Sequence, residues 1–424
     1  MLYSPYWRET APTFIGQNMP VAGRYDVAVI GGGFTGLAAA RHLARAGVRV
    51  AVLEAGTIGS GGSGRNGGHL NNGLAHSYLS VKAALGQARA VALYHAYDQA
   101  VDVIEQIISE ESIACDFRRA GKLKLAAKPQ HLKGMAQNFE AIHREADSKT
   151  KLLTRSDLAG EVGSESFHGA VLFEKSAMMH MGRYICGLAA AAARYGACIF
   201  ESVAVTGQRR IGTGFELTTP RGKLMAGQVL VATGAYTTDN FTYLRRRIVP
   251  LGSFIIATRP LREAEIADVM PGNRTCVTSR HVGHYFRLSP DNRLIFGGRT
   301  RFSACSDQQS DQQSCDMLRH TLADIFPQLA GIEIDYCWGG LIDLTKDRLP
   351  RAGVTEGLHY AIGYSGHGAQ LANLMGIMVA KKMLGHAIDN PFEGLPWQAI
   401  PFYSGKPWFL PFVGAYYRAL DLIS

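Results

Sequence analysis

A parallel α/β domain interrupted by an antiparallel α+β domain is the fold class this sequence predicts, on three observations. The first is the stretch DVAVIGGGFTGLAAARHLARAGVRVAVLE from Asp26 to Glu54, an apolar run, a glycine turn, an alanine-rich helix and a second apolar run ending on an acid. The second is that small-residue turns of the same character return far along the chain, after Gln228–Val231 and again at Gly363–Gly368, so the parallel domain must be assembled from separated segments. The third is the alternation of apolar and polar residues through 248–303, with Asp291-Asn292 between two such runs as a hairpin signal.

Each part of the first stretch has a physical task. Val27 to Ile30 supplies a buried strand, and Gly31, Gly33 and Gly36 form G-x-G-x-x-G. Gly31 permits the tight turn, Gly33 lets a pyrophosphate approach the backbone, and Gly36 lets helix and strand pack closely. The phosphates then meet the free N–H groups at the helix start. Glu54 closes the strand Val48 to Leu53, where it can accept hydrogen bonds from a ribose diol and repel a 2′-phosphate. In register, these parts specify a Rossmann-type dinucleotide-binding unit. The loop SGGSGRNGGHLNNG (Ser60 to Gly73) carries six glycines, little bulk, and easy access to positive φ, which suits backbone lying against a flat ligand. Helical patterns follow at Gln87–Ile108, His131–Ala146 and Met181–Tyr195, the last ending at Gly196 before a strand at Ala197–Val205. Asp307–Ser314 reads as a polar loop or helix start.

Composition bounds the function. A 424-residue chain that is 47% hydrophobic and 19% charged is long enough for two folded domains. The net charge of +9 favours anionic partners, yet Arg245-Arg246-Arg247 is the longest basic cluster and nucleic acid is not an expected partner. Seven cysteines lie at irregular spacings without a C-x-x-C pair, which suggests neither a metal site nor a dithiol redox centre. Gly212-Thr213-Gly214 offers no second full fingerprint, so a pyridine-nucleotide disulfide reductase is set aside. No signal peptide or spanning segment is expected, which points to the cytoplasm. The aromatic tail Lys406–Leu422, with Trp408, Phe409, Phe412, Tyr416 and Tyr417, is the candidate for peripheral contact with the inner face of a membrane.

The first fingerprint, the SGRNGG loop, the segment LVATGAY and the C-terminal GYSGHGAQLANLMG together resemble the D-amino-acid oxidase superfamily of FAD enzymes, in the branch of γ-glutamylputrescine, glycine, sarcosine and pipecolate oxidases. The likeness runs over roughly residues 24 to 390. It implies FAD as cofactor and a Rossmann-type FAD-binding domain made of 24–84, 151–235 and 336–390. A substrate domain of 85–150 and 236–335 would cover the flavin with its antiparallel sheet, and 391–424 would form the tail. The implied cofactor contacts are Gly31, Gly33, Gly36, Glu54, Ser63, Arg65, Asn66, Gly67, Gly68, Val203, Thr233, Gly234, Gly366, His367 and Gly368. The implied reaction is oxidation of a C–N bond to an imine that hydrolyses, with γ-glutamylputrescine or a cyclic imino acid such as pipecolate as substrate.

Candidate catalytic residues are Tyr285 and Arg287, at alternating positions of one strand, Arg299 on the next strand beside Arg301, and His367 in the S-G-H-G turn. An arginine fork in a cleft suits a carboxylate. Departures from the family sharpen the expectations. The stretch Trp338–Asp347 has Gly340 where sarcosine oxidases attach flavin through a cysteine, with Cys337 out of register, so noncovalent FAD is expected. Gln370 stands where that branch has a carboxylate-binding lysine, and Leu294–Gly298 lacks the lysine that relatives place over the flavin for reaction with oxygen. Oxygen or a quinone or carrier therefore remain open as acceptor. The alternatives are a membrane-linked amine dehydrogenase, a flavoprotein acting on tRNA and a flavin subunit of a larger complex.

Overall fold

The computed structural model describes residues 1–298, 302–304 and 308–423. The apolar run of strand Arg24–Ile30 is central to a sheet ordered Arg351–Thr355, Leu358–Ile362, Gly222–Val231, Arg24–Ile30, Val50–Leu53, Cys198–Phe200. Its neighbours on both sides are parallel, with Val27 opposite Val50 and Gln228. Parallel sheets are buried on both faces, which is why these strands read as unbroken Val, Ile, Leu and Ala. Helices Phe34–Arg45, Met181–Arg194 and Gly368–Met383 cover one face through Leu37, Leu43, Leu188, Leu371 and Met375. Phe200, Phe215, Leu217, Leu224 and Leu244 fill the other. The first and last of these helices touch so closely that a Cβ on Gly376 would lie 2.3 Å from Thr35 O.

The second sheet is ordered Ile334–Leu344, Val249–Pro260, Arg293–Gly298, His284–Leu288, Thr275–Thr278, Lys122–Leu125, Gly169–Phe173, Lys151–Thr154. Among the pairings of these described strands, only that of Lys122–Leu125 with Thr275–Thr278 is parallel. The hairpin at Asp291-Asn292 forms as its sequence suggests, with Leu288 opposite Leu294 and Asn292 at φ +65°. Phe254, Phe286 and Phe296 pack one sheet face with Leu318 and Leu322 of helix Gln308–Ile325. The opposite face looks onto the glycine turns of the parallel domain.

Element existence follows the expectations more closely than layer assignment. Lys151–Thr154, Gly169–Phe173 and Ile334–Leu344, grouped by sequence with the cofactor domain, are hydrogen-bonded into the second sheet. Helix Gln87–Glu111, grouped with the substrate domain, sinks Tyr97, Val101 and Ile104 into the core around helix Gly368–Met383. Periodicity fixes which side of an element is buried, not what buries it. The strand expected over Ala197–Val205 is regular only at Cys198–Phe200, because Ser202 turns to φ +56° and Val203 N–H bonds to Glu54 O. The tail ends in helix Leu410–Ile423, docked on its own protein. Asp421 accepts the N–H groups of His281 and Val282, and Tyr417 stacks on His281. Trp408, Phe412 and Tyr416 face outward, exposed. Among the described residues no helix is long and apolar enough to cross a membrane.

Candidate functional site

Between the two sheets lies a cavity of about 710 Å³, lined at one end by the glycine turns and at the other by the antiparallel sheet. Gly31 sits at φ +106°, and a Cβ there would lie 2.6 Å from Ala232 O, so the turn accepts only glycine. A Cβ on Gly36 would lie 2.0 Å from Gly31 O, which is the close helix–strand contact that the fingerprint implies. Gly36 and Gly68 act behind the cavity wall, whereas Gly31, Gly33, Glu54, Ser63, Arg65, Asn66, Gly67, Val203, Thr233, Gly234, Gly366, His367 and Gly368 line it. Helix Phe34–Arg45 has no acidic residue in its first turn and no capping side chain on Gly33; Ser63 Oγ accepts its first N–H at 3.0 Å. Such a helix start suits an anion. Glu54 is held in place by the N–H groups of Gly32 at 2.7 Å and Gly56 at 2.8 Å.

The glycine loop is not a slack surface segment. Three successive carbonyls are each held by a buried donor from elsewhere: Arg65 O by Trp338 Nε1 at 3.0 Å, Asn66 O by Trp7 Nε1 at 2.6 Å and Gly67 O by Arg287 Nε at 2.9 Å. Arg65 itself donates to Ser60 O and Gly339 O, and Asn66 to Ser63 O, with Asn66 Oδ1 accepting Gly68 N–H. The loop thus has one backbone path, with its peptide groups oriented before any ligand arrives.

The substrate-side candidates separate. Tyr285 lines the cavity, its hydroxyl 3.1 Å from Ser253 Oγ, its ring edge-on to His69 and against Gly67 and Gly297. Arg287 shares that strand face, as alternation requires, yet it does not line the cavity. Its guanidinium is buried beneath the glycine loop, donating also to Met179 O at 2.8 Å and lying over the Trp7 ring. It is a positioning residue there rather than a fork open to substrate. Arg299, with Arg301, lies outside the described residues. His367 caps helix Gly368–Met383 from the cavity wall, its ring edge-on to Tyr97. Gln370 donates to Asn71 O at 2.6 Å, which fixes the far end of the glycine loop.

Sequence reasoning missed the basic wall. Lys122 and Lys124 project from strand Lys122–Leu125 into the cavity, joined by Arg348 and His76. Burial pushes Lys122 down to about 7, and neighbouring Lys124 adds to this; burial also lowers Lys124. Lys122 donates to Asn72 O at 2.5 Å and lies over the Phe173 ring. Asp343, with burial raising it to about 6, accepts Gly363 N–H at 2.6 Å and ties the second sheet to the last glycine turn. The signal for the lysines was K-L-K-L alternation, which by itself reads as the solvated face of a strand.

The family model for FAD dependent oxidoreductases (DAO) matches residues 26–382. This chain belongs to that family. It is 34% identical over 402 residues to a γ-glutamylputrescine oxidoreductase of Escherichia coli, covering 93% of this chain and 92% of that protein. It is 33% identical to a probable oxidoreductase OrdL of Haemophilus influenzae, with 90% and 88% covered. A glycine oxidase of Geobacillus kaustophilus is 27% identical over 84% of this chain and 92% of its own length. Among solved structures, a glycine oxidase from the same organism superposes with TM-score 0.73 at 24% identity, covering 90% of this chain and 99% of that one. An L-proline dehydrogenase from P. horikoshii gives TM-score 0.72 at 21% identity, with 93% and 99% covered; both show the fold.

As a member of the family the chain is an FAD-dependent oxidoreductase acting on amine or amino-acid C–N bonds, and the cavity fits the cofactor on its own evidence. The glycine turn that a Cβ would fill, the helix start with no acidic residue in its first turn and Glu54 at the strand end are what a dinucleotide with a free ribose diol needs. When bound, FAD supplies the two-electron acceptor for the substrate C–H bond. The chain's residues orient and desolvate. The clamped loop and the sheet face of Ser253 and Tyr285 bound the space between them.

Proposed function

We propose that this chain oxidises an open-chain amine of the γ-glutamylputrescine kind to an imine, which then hydrolyses. The near end-to-end match to the γ-glutamylputrescine oxidoreductase, 34% identical over 93% of this chain, is the observation that carries the reading. Tyr285 and Ser253 would contact the substrate, Tyr285 from the middle of the sheet face and Ser253 beside it. FAD is held without a covalent bond in this reading: among the described residues no cysteine lines the cavity, and Cys337 points into the opposite core, donating to Asp311 O. The test is product analysis with γ-glutamylputrescine, pipecolate, sarcosine and proline under excess acceptor. Aldehyde from γ-glutamylputrescine alone supports the reading, and turnover of only a cyclic imino acid overturns it. Flavin remaining on an acid-precipitated pellet overturns the noncovalent part.

For the acceptor, the two-faced tail favours a quinone at the inner face of a membrane. Its inner side is docked through Tyr417 and Asp421, while Trp408, Phe412 and Tyr416 stand exposed in the manner of an interfacial helix. Quinone reduction by vesicle-bound enzyme supports this; stoichiometric peroxide with no flotation on anionic vesicles contradicts it.

A further inference from the structure

We propose that Lys124, with Arg348 beside it, docks a carboxylate that the substrate carries well away from its reacting C–N bond. The inference rests on the amine-oxidation reading of the cavity and adds the part of the ligand that the reading leaves unassigned.

The sheet register places Lys124. Lys124 pairs with Val277, Val277 with Tyr285, and Tyr285 with Gly297, so these residues form one row across the sheet. Residues in one row share a face, and Lys124 therefore looks into the same cavity as Tyr285. Two inter-strand steps separate them, about 10 Å of backbone. A carboxylate on the reacting carbon, as in a small α-amino acid, does not span that distance; one several bonds away does.

Lys124 also lacks the carboxylate partner that Arg41, Arg293 and Arg351 have. Among the described residues no hydrogen bond or ion pair engages its ammonium, or the guanidinium of Arg348. Arg41 is matched by Glu110 and Glu111, Arg293 by Asp291 and Asp335, and Arg351 by Asp347. Lys122, two residues away, has Asn72 O and the Phe173 ring. The carboxylates of the cavity wall are engaged elsewhere: Glu54 with Gly32 and Gly56 at the fingerprint, Asp343 with Gly363. Asp98, behind Lys122, accepts from Asn72, and Asp147 from Tyr94. Lys124 and Arg348 converge on His76, where burial and then both cations lower the imidazole's proton affinity against the opposing pull of Asp347. A half-buried ammonium aimed into a cavity without a partner carries a desolvation cost that an incoming carboxylate relieves. The fork of Arg348 can take the second oxygen.

The experiment titrates FAD-loaded enzyme with straight-chain monocarboxylates from acetate to octanoate, which carry no amine and cannot turn over. Binding is read by calorimetry and by the perturbed flavin spectrum. Affinity is expected to rise with chain length, and Lys124→Met to weaken the longer acids about 10- to 100-fold, the worth of a charge-assisted hydrogen bond. Lys124→Arg should restore most of it. Lys124→Gln serves as the second neutral variant, with melting temperature and flavin content confirming that each is folded. Equal affinities in wild type and both neutral variants, or no dependence on chain length, overturn the proposal. A second arm compares kcat/KM for a carboxylate-bearing amine with that for its decarboxylated counterpart; the preference should collapse towards one in Lys124→Met. If no amine turns over while the acids still bind through Lys124, the amine-oxidation reading falls and the subsite stands. If amines turn over and Lys124→Met leaves the preference intact, the subsite alone falls.

Discussion

The glycine loop from Ser60 to Gly73 and the basic wall around Lys124 face each other across one cavity, and they are built on opposite principles. In the loop, polar groups are satisfied before a ligand binds, with the Arg65, Asn66 and Gly67 carbonyls each held by a buried donor. In the wall, among the described residues, no hydrogen bond or ion pair engages the charged groups of Lys124 and Arg348. The first arrangement fixes a shape for a cofactor that stays; the second stores unsatisfied charge for a substrate that comes and goes. Preorganisation suits the resident group, and a desolvated cation suits selection.

Substitutions can break this contrast, and the largest effect is expected at Arg287. Replacing it with Met leaves the Gly67 and Met179 carbonyls without their buried donor. A loss of about 2–6 kcal/mol is expected, about 1–3 for each carbonyl left unsatisfied. Purified Arg287→Met should be largely flavin-free and melt earlier; a fully loaded variant would show that the loop does not depend on this clamp. Trp7→Phe removes one indole N–H from Asn66 O and should cost about 1–3 kcal/mol, with weaker FAD retention on dialysis. Unchanged retention would restrict Trp7 to packing.

Two smaller effects sharpen the comparison from the substrate side. Tyr285→Phe deletes only the hydroxyl bonded to Ser253, so turnover should fall by about tenfold or less with flavin content unchanged. A flavin-free variant would move Tyr285 to the cofactor side. Burial holds Lys122 near 7, below the ~10.4 of a free lysine, so the unfolded chain binds more protons between these values. Stability attributable to this residue therefore rises with pH across that window. Lys122→Met should flatten the dependence of the urea midpoint on pH between about 7 and 10. An unaltered slope would contradict the buried state of this ammonium.

The same contrast explains what was legible in the sequence. The fingerprint is local: the requirement for Gly31 and Gly36 arises within the strand–turn–helix they belong to, and Glu54 is the end of the next strand. Strand alternation placed Tyr285 and Arg287 on one face correctly. It could not show that the loop lies over one of them, because the indoles and guanidinium that clamp it come from positions 7, 338 and 287. The alternation of Lys122 and Lys124 carries no local sign of a cavity, because the residues that line it with them, His76 and Arg348, come from distant segments. Layer membership failed for the same reason: Ile334–Leu344 joins the second sheet by pairing with Val249–Pro260, a contact no local pattern announces.

The most direct test of the account is anaerobic mixing of FAD-loaded enzyme with γ-glutamylputrescine while the visible absorbance of the bound flavin is followed. Rapid, saturable bleaching that is much slower with sarcosine and pipecolate is the expected result. An intact flavin that no amine in the series bleaches would contradict C–N oxidation as the function of this cavity.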